Sequence, residues 1–132
     1  MILIDTHVFV WFVEGSDKLG RKARSRLERA LARSEAHVSA ISFWEIAMLA
    51  GAGRLHLSRD PGELRARALG GGLVEIPVDG EIGILAARLG VHGDPADRVI
   101  IATALARRAT LMTADHAILD ATGGPTCVDA RQ

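Results

Sequence analysis

A chain of 132 residues with 48% hydrophobic and 24% charged side chains has the composition of a folded globular unit, which excludes a disordered tail. Equal numbers of basic and acidic side chains leave a formal charge of zero, unlike proteins that coat long nucleic acid by bulk charge, and the single cysteine excludes an internal disulfide or a paired-cysteine zinc site. The opening run 1–13 is apolar, but Asp5 and His7 interrupt it and neither a basic leader nor a small-residue cleavage pattern accompanies it, so a cytoplasmic location without membrane attachment is expected.

Residues 2–4 suit a buried strand and residues 6–14 a packed helix, with Asp5 at the junction. Leu19, Ala23, Leu27, Ala30 and Leu31 then recur at helical spacing through 19–33. Lys18, Arg21, Lys22, Arg24, Arg26, Arg29 and Arg33 stand there against one acid, Glu28, so this helix presents a basic surface suited to solvent or to a phosphate backbone. A second strand is expected at 37–40 and a helix at 41–50, ended by Gly51 and Gly53. Pro61 fits the first turn of a helix at 60–69, which Gly70, Gly71 and Gly72 stop. Residues 73–77 read as a third strand, 80–89 as a helix, and 94–108 as a long apolar helix packed on the sheet. A fourth strand at 110–112, a short helix at 115–121 and an edge strand at 126–128 complete the chain. Parallel neighbours need helical crossovers, so this alternation implies one α/β domain over residues 1–132 with a mainly parallel sheet.

Asp5, Glu45, Asp97 and Asp115 each lie where an apolar stretch meets a helix start. Singly, each reads as a cap. Asp5 can cap the first helix, Ser42-Phe43-Trp44-Glu45 matches the S-x-x-E capping box, Asp94-Pro95-Ala96-Asp97 puts proline at the first helical position, and Asp115 follows Thr113 in a similar pattern. In combination they suggest more, because ligands of open parallel sheets bind beyond the carboxyl ends of the strands. Two carboxylates about 4 Å apart repel by roughly 4 kcal/mol at an effective dielectric near 20, so a cluster needs a cation or a proton. Oxygen donors without cysteine favour Mg²⁺ or Mn²⁺, which suit phosphodiester hydrolysis.

These segments, in this order, resemble the PIN-domain ribonucleases, and among them the VapC-type toxins of bacterial toxin and antitoxin pairs. The resemblance is carried by Ile4-Asp5-Thr6 with His7, by the stretch 39–45 running into Trp44-Glu45-Ile46-Ala47, by Asp94-Pro95-Ala96-Asp97-Arg98 leading into Ile100-Ile101-Ala102, and by Leu111-Met112-Thr113-Ala114-Asp115. It implies a PIN-like three-layer α/β/α sandwich in which Asp5, Glu45, Asp97 and Asp115 occupy the catalytic, metal-binding positions. Thr113, Thr6 and Asp94 would support them, Asp94 as a helix cap or as an outer neighbour of the site. The implied cofactor is Mg²⁺ or Mn²⁺. The implied activity is endonucleolytic cleavage of single-stranded or loop RNA by a homodimer, inhibited by a small antitoxin lying over the helices near the pocket.

Arg21, Arg24, Arg29 and Arg98 are the RNA-binding candidates, although a surface salt bridge is the commoner role for a residue such as Arg98. His7, His37, His56, His92 and His116 show no zinc spacing, and His7 and His116 read as hydrogen-bonding neighbours of the acids. Phe9, Trp11, Phe12, Phe43 and Trp44 read as packing or partner-contact residues, and Cys127 as a small buried residue. The alternatives are a PIN-like binding module without catalysis and an Asp-dependent phosphatase or phosphotransfer protein. The latter would want a second acid where His7 stands, or a late lysine, whereas the only lysines are Lys18 and Lys22.

Overall fold

Strands of three or four residues build the sheet of this protein, whose computed structural model describes residues 1–90 and 93–132; His92 lies outside the described residues. In chain order the elements are β1 (Ile2–Ile4), α1 (Thr6–Val13), α2 (Arg21–Ala32), β2 (Ala36–Ser39), α3 (Ala40–Gly51), α4 (Pro61–Gly70), β3 (Val74–Ile76), α5 (Gly80–Arg88), α6 (Pro95–Arg107), β4 (Thr110–Thr113), α7 (His116–Leu119) and β5 (Cys127–Asp129). Every strand pair is parallel and the order is β3-β2-β1-β4-β5.

The central strands are short unbroken apolar runs because both faces of the sheet are covered. Ile2 and Ile4 of β1 pack with Val8, Phe9, Leu27 and Met112 in one layer, while Leu3 between them packs with Ile82, Ile100 and Leu111 in the other. A slip of one residue would exchange the two sets, so burial on both sides pins the register. Helices α1 and α2 cover the first face and α5 and α6 the second, which makes the three-layer α/β/α sandwich expected from the resemblance. Each fully buried Leu, Ile, Val or Phe contributes about 1.5–3 kcal/mol against the chain entropy.

The helix caps expected at Asp5, Asp94 and Asp115 are formed, each accepting from a backbone amide of its first turn, and Asp60 and Asp79 cap α4 and α5 in the same way. The capping box at Ser42 and Glu45 is not formed. Ser39, the last residue of β2, caps α3 by accepting from the Ile41 amide, so the helix leaves the strand without a loop and Ser42 and Glu45 are buried inside it. The second helix begins at Arg21 rather than residue 19, because Leu19 is buried in the preceding turn and Gly20 is the cap. Cys127 is half-buried within β5, and its thiol donates to the Pro125 carbonyl.

The start of α2 is stitched to residues 130–132 through the backbone. The Gly20 amide donates to the Ala130 carbonyl (2.9 Å), the Lys22 amide to Gln132 (2.8 Å), and the Ala130 amide to Thr113 (2.8 Å). A β-carbon on Gly20 would stand 2.3–2.5 Å from backbone atoms of Arg131 and Gln132, which only glycine avoids. Gly20→Ala is therefore expected to lower stability by about 1–3 kcal/mol. At Gly51, where an added β-carbon meets nothing within 4 Å, alanine should be neutral or slightly stabilising. Urea unfolding midpoints of the two variants check the contrast.

Candidate active site

From β1 the chain adds β2 and then β3 on one side, and β4 and β5 lie on the other, so the carboxyl ends of β1 and β4 border the point where the winding reverses. The β1–β4 register pairs Ile4 with Met112, and the Asp5 amide donates to the Met112 carbonyl (3.1 Å). Asp5 is thereby set beside Thr113. One carboxylate oxygen of Asp5 accepts from the Val8 amide (2.9 Å) and the other from the Thr113 hydroxyl. The same hydroxyl oxygen accepts from the Asp115 amide (3.1 Å), so one buried threonine orients two acids on different loops. On α1 the Thr6 hydroxyl donates to Ser42 (3.0 Å), which joins α1 to α3 one turn before Glu45. Asp94 caps α6 by accepting from the Asp97 amide (2.9 Å), which fixes Asp97 in the first turn of that helix.

A cavity of about 310 Å³ collects these side chains. Asp5, Glu45, Asp97 and Asp115 all line it, with Thr6 and Asp94 on its wall and Thr113 buried behind Asp5. The four RNA-binding candidates are not among its lining residues. Helix α2 starts beside residues 130–132 at the carboxyl end of the sheet and ends beside Met1 and Thr110 at the amino end, so Arg29 stands far down the sheet from the acids. Arg24 donates to the Ser16 carbonyl (3.3 Å) and lies over the Phe12 ring, and Arg29 donates to Ser25 (2.8 Å). Arg98 makes no salt bridge among the described residues, and its Nε is buried without a partner.

Two lining residues lie outside the sequence reading of the site. Trp11, read there as packing, shares the cavity wall with His7, and their separation of four on α1 is the signal that both look the same way. Arg131 also lines the cavity, and no motif marks it.

Burial raises the Asp5 carboxyl above its ordinary value, against the opposing Thr113 and Val8 hydrogen bonds and the nearby His7. Asp97 is pushed up to about 6, first by burial and then by repulsion from Asp94, Glu45, Asp115 and Asp5. Glu45 Oε1 is buried with no hydrogen-bond partner. The cavity thus gathers hard oxygen donors, one of them unsatisfied, whose ionised forms destabilise one another. Among the described residues no three His, Cys, Asp or Glu groups already stand at metal-binding spacing. By chemistry of the donors, a divalent cation is the partner that this set of carboxylates fits.

Residues 2–124 match the PIN domain family. The chain is 32% identical to Ribonuclease VapC22 of Mycobacterium tuberculosis over 117 residues, 87% of each protein. Among solved structures it resembles VapBC2 from Rickettsia felis, solved bound to a promoter DNA fragment, at 17% identity and a TM-score of 0.67, covering 98% of both chains. It also resembles DNA-bound VapBC from Salmonella typhimurium at 20% identity and a TM-score of 0.67, covering 97% of this chain and 96% of that one. At these identities the likeness to the solved structures is one of fold.

At pH values well below 3.8, Asp97 is protonated in the folded and unfolded chains alike. Between 3.8 and about 6 the folded chain keeps a proton that the unfolded chain sheds, so the stability of the metal-free protein falls as pH rises through that window and levels off above it. Asp97→Asn is expected to raise the Tm of the metal-free protein by a few degrees at pH 7 and to reduce the decline between pH 4 and 6. Thermal melts across pH in EDTA check this.

Proposed function

The chain belongs to the PIN-domain family, and from that premise we propose that it is a VapC-type endoribonuclease, cleaving single-stranded or loop RNA in the cytoplasm. Asp5, Glu45, Asp97 and Asp115 would hold Mg²⁺ or Mn²⁺, within one domain spanning residues 1–132. The observation that carries this reading is the meeting of those four carboxylates in one cavity, with Glu45 Oε1 unpartnered and Asp97 held toward its neutral form. When bound, the divalent ion supplies activation of water and neutralisation of charge on the phosphoryl group.

The chain's own residues supply position. The Val8 amide and the Thr113 hydroxyl hold the two oxygens of Asp5, which keeps the carboxylate from turning into the cap alone. Thr113 also fixes the loop that carries Asp115. Glu45 Oε1 is buried with no donor among the described residues, which leaves its acceptor capacity for a bound cation.

The proposed partners are RNA, a second copy of this chain and a small antitoxin protein. Trp44 and Met48, four apart on α3, are 52% and 47% exposed, an apolar surface suited to a protein contact. A cavity of about 380 Å³ bordered by Phe12, Val13, Leu31, Leu64 and Leu73, with Arg59 and Arg67 beside it, suits an apolar segment of an antitoxin. Among the described residues no helix is long and apolar enough to cross a membrane.

Cleavage of a mixed RNA pool in Mg²⁺ or Mn²⁺, with EDTA as control, tests the reading. Asp5→Asn and Asp97→Asn should each lower the rate by about 100-fold or more, as expected for groups that organise the charge-stabilising centre. An undiminished rate in either folded variant would remove that residue from the catalytic set. A wild-type protein that binds RNA without cutting it would instead favour the binding-module reading.

A further inference from the structure

We propose that Arg131 is the phosphate-binding cation of this site, donating to a non-bridging oxygen of the RNA backbone as it crosses the carboxylates. The proposal rests on the ribonuclease reading above. Asp5, Glu45, Asp94, Asp97 and Asp115 all line the cavity, so even one bound divalent cation leaves it net negative if they are ionised. A polyanion entering such a cavity needs a fixed positive group there. Among the described residues Arg131 is the only lysine or arginine on the cavity wall.

Its backbone is rigidly rooted. Ala130 is wholly buried, with its amide on the Thr113 carbonyl and its own carbonyl receiving the Gly20 amide. The Arg131 amide donates to the Asp129 carboxylate (2.9 Å), and the Lys22 amide holds the Gln132 carbonyl. The residue that orients Asp5 through its hydroxyl thus also anchors the Arg131 segment through its carbonyl, and the cation and the acids share one support.

The head group is largely unused. A guanidinium has five N–H donors, and among the described residues one contact is made here, from Nη1 to Nε2 of His116 at 3.4 Å. Arginine only donates, so this contact requires His116 to accept at Nε2 with its proton on Nδ1. Among the described residues no carboxylate lies within 4 Å of Arg131 as an ion pair, despite the acids around it. The planar fork left free matches two oxygens of a phosphate.

The test uses Asp5→Asn protein, with EDTA present to suppress residual cutting, and a short labelled single-stranded RNA followed by fluorescence anisotropy over a range of salt. Adding Arg131→Ala should weaken binding about tenfold, the loss of a charge-assisted hydrogen bond, and flatten the slope of log K against log salt by about 0.7, one phosphate contact. Arg131→Lys should keep most of the slope while recovering only part of the affinity. In the cleaving protein Arg131→Ala should raise KM about tenfold with kcat changed by less than about threefold, a split that a merely structural lesion would not produce. Unchanged affinity and slope, with the wild type still cutting RNA, would overturn the assignment of Arg131 alone. If the wild type cuts no RNA and Asp5→Asn binds none, the ribonuclease reading falls and Arg131 falls with it.

Discussion

Parallel pairing of β1 with β4 sets Asp5 beside Thr113, and the Thr113 hydroxyl then bonds the Asp5 carboxylate while accepting from the Asp115 amide. Two loops that follow different strands are locked at one point by one buried side chain. The Thr113 carbonyl extends the same support to Ala130 and so to the segment that carries Arg131. Glu45 and Asp97 arrive from α3 and α6, whose starts are set by Ser39 at the end of β2 and by Asp94. The cavity is therefore assembled from the carboxyl ends of central strands and the first two turns of helices.

The cost of this assembly is electrostatic. Burial and mutual repulsion raise Asp5 and Asp97, and a buried Glu45 oxygen has no donor, so the metal-free fold carries strain that a cation would relieve. The two apolar layers oppose that strain, with Leu3, Ile4, Val8, Phe9 and Leu111 fully buried directly beneath the site. Under the proposed function, activity and stability would pull in opposite directions at these carboxylates, with the core beneath them offsetting the conflict.

Much of the fold was legible because its signals are local. Apolar runs and helical spacing marked every strand and helix to within a few residues, and Asp60-Pro61 and Asp94-Pro95 marked helix starts correctly. The capping box at Ser42 misled because Ser39 is an equally good cap one turn earlier, and local pattern does not say which serine ends the strand. Asp5 and Asp115 were legible both as caps and as residues facing a cavity, for a single reason: in a βα unit the helix cap is also the residue at the ligand-binding end of the strand. Asp5 fills both parts, accepting from Val8 while lining the cavity.

Charge was legible only as sequence clusters. The basic residues of α2 form one stretch, yet that helix runs the length of the sheet, and neither Arg21 nor Arg29 lines the acidic cavity. Arg131 belongs to no cluster and stands there because β5 pairs with β4. By itself the sequence determined the order of strands and helices, the parallel α/β layering and the helix caps at Asp5, Asp94 and Asp115, since these follow from side-chain type and short-range periodicity. Which charges share a cavity was decided by tertiary structure alone. Asp5 and Thr113 are 108 positions apart, and only parallel pairing held in register by burial on both faces brings them together.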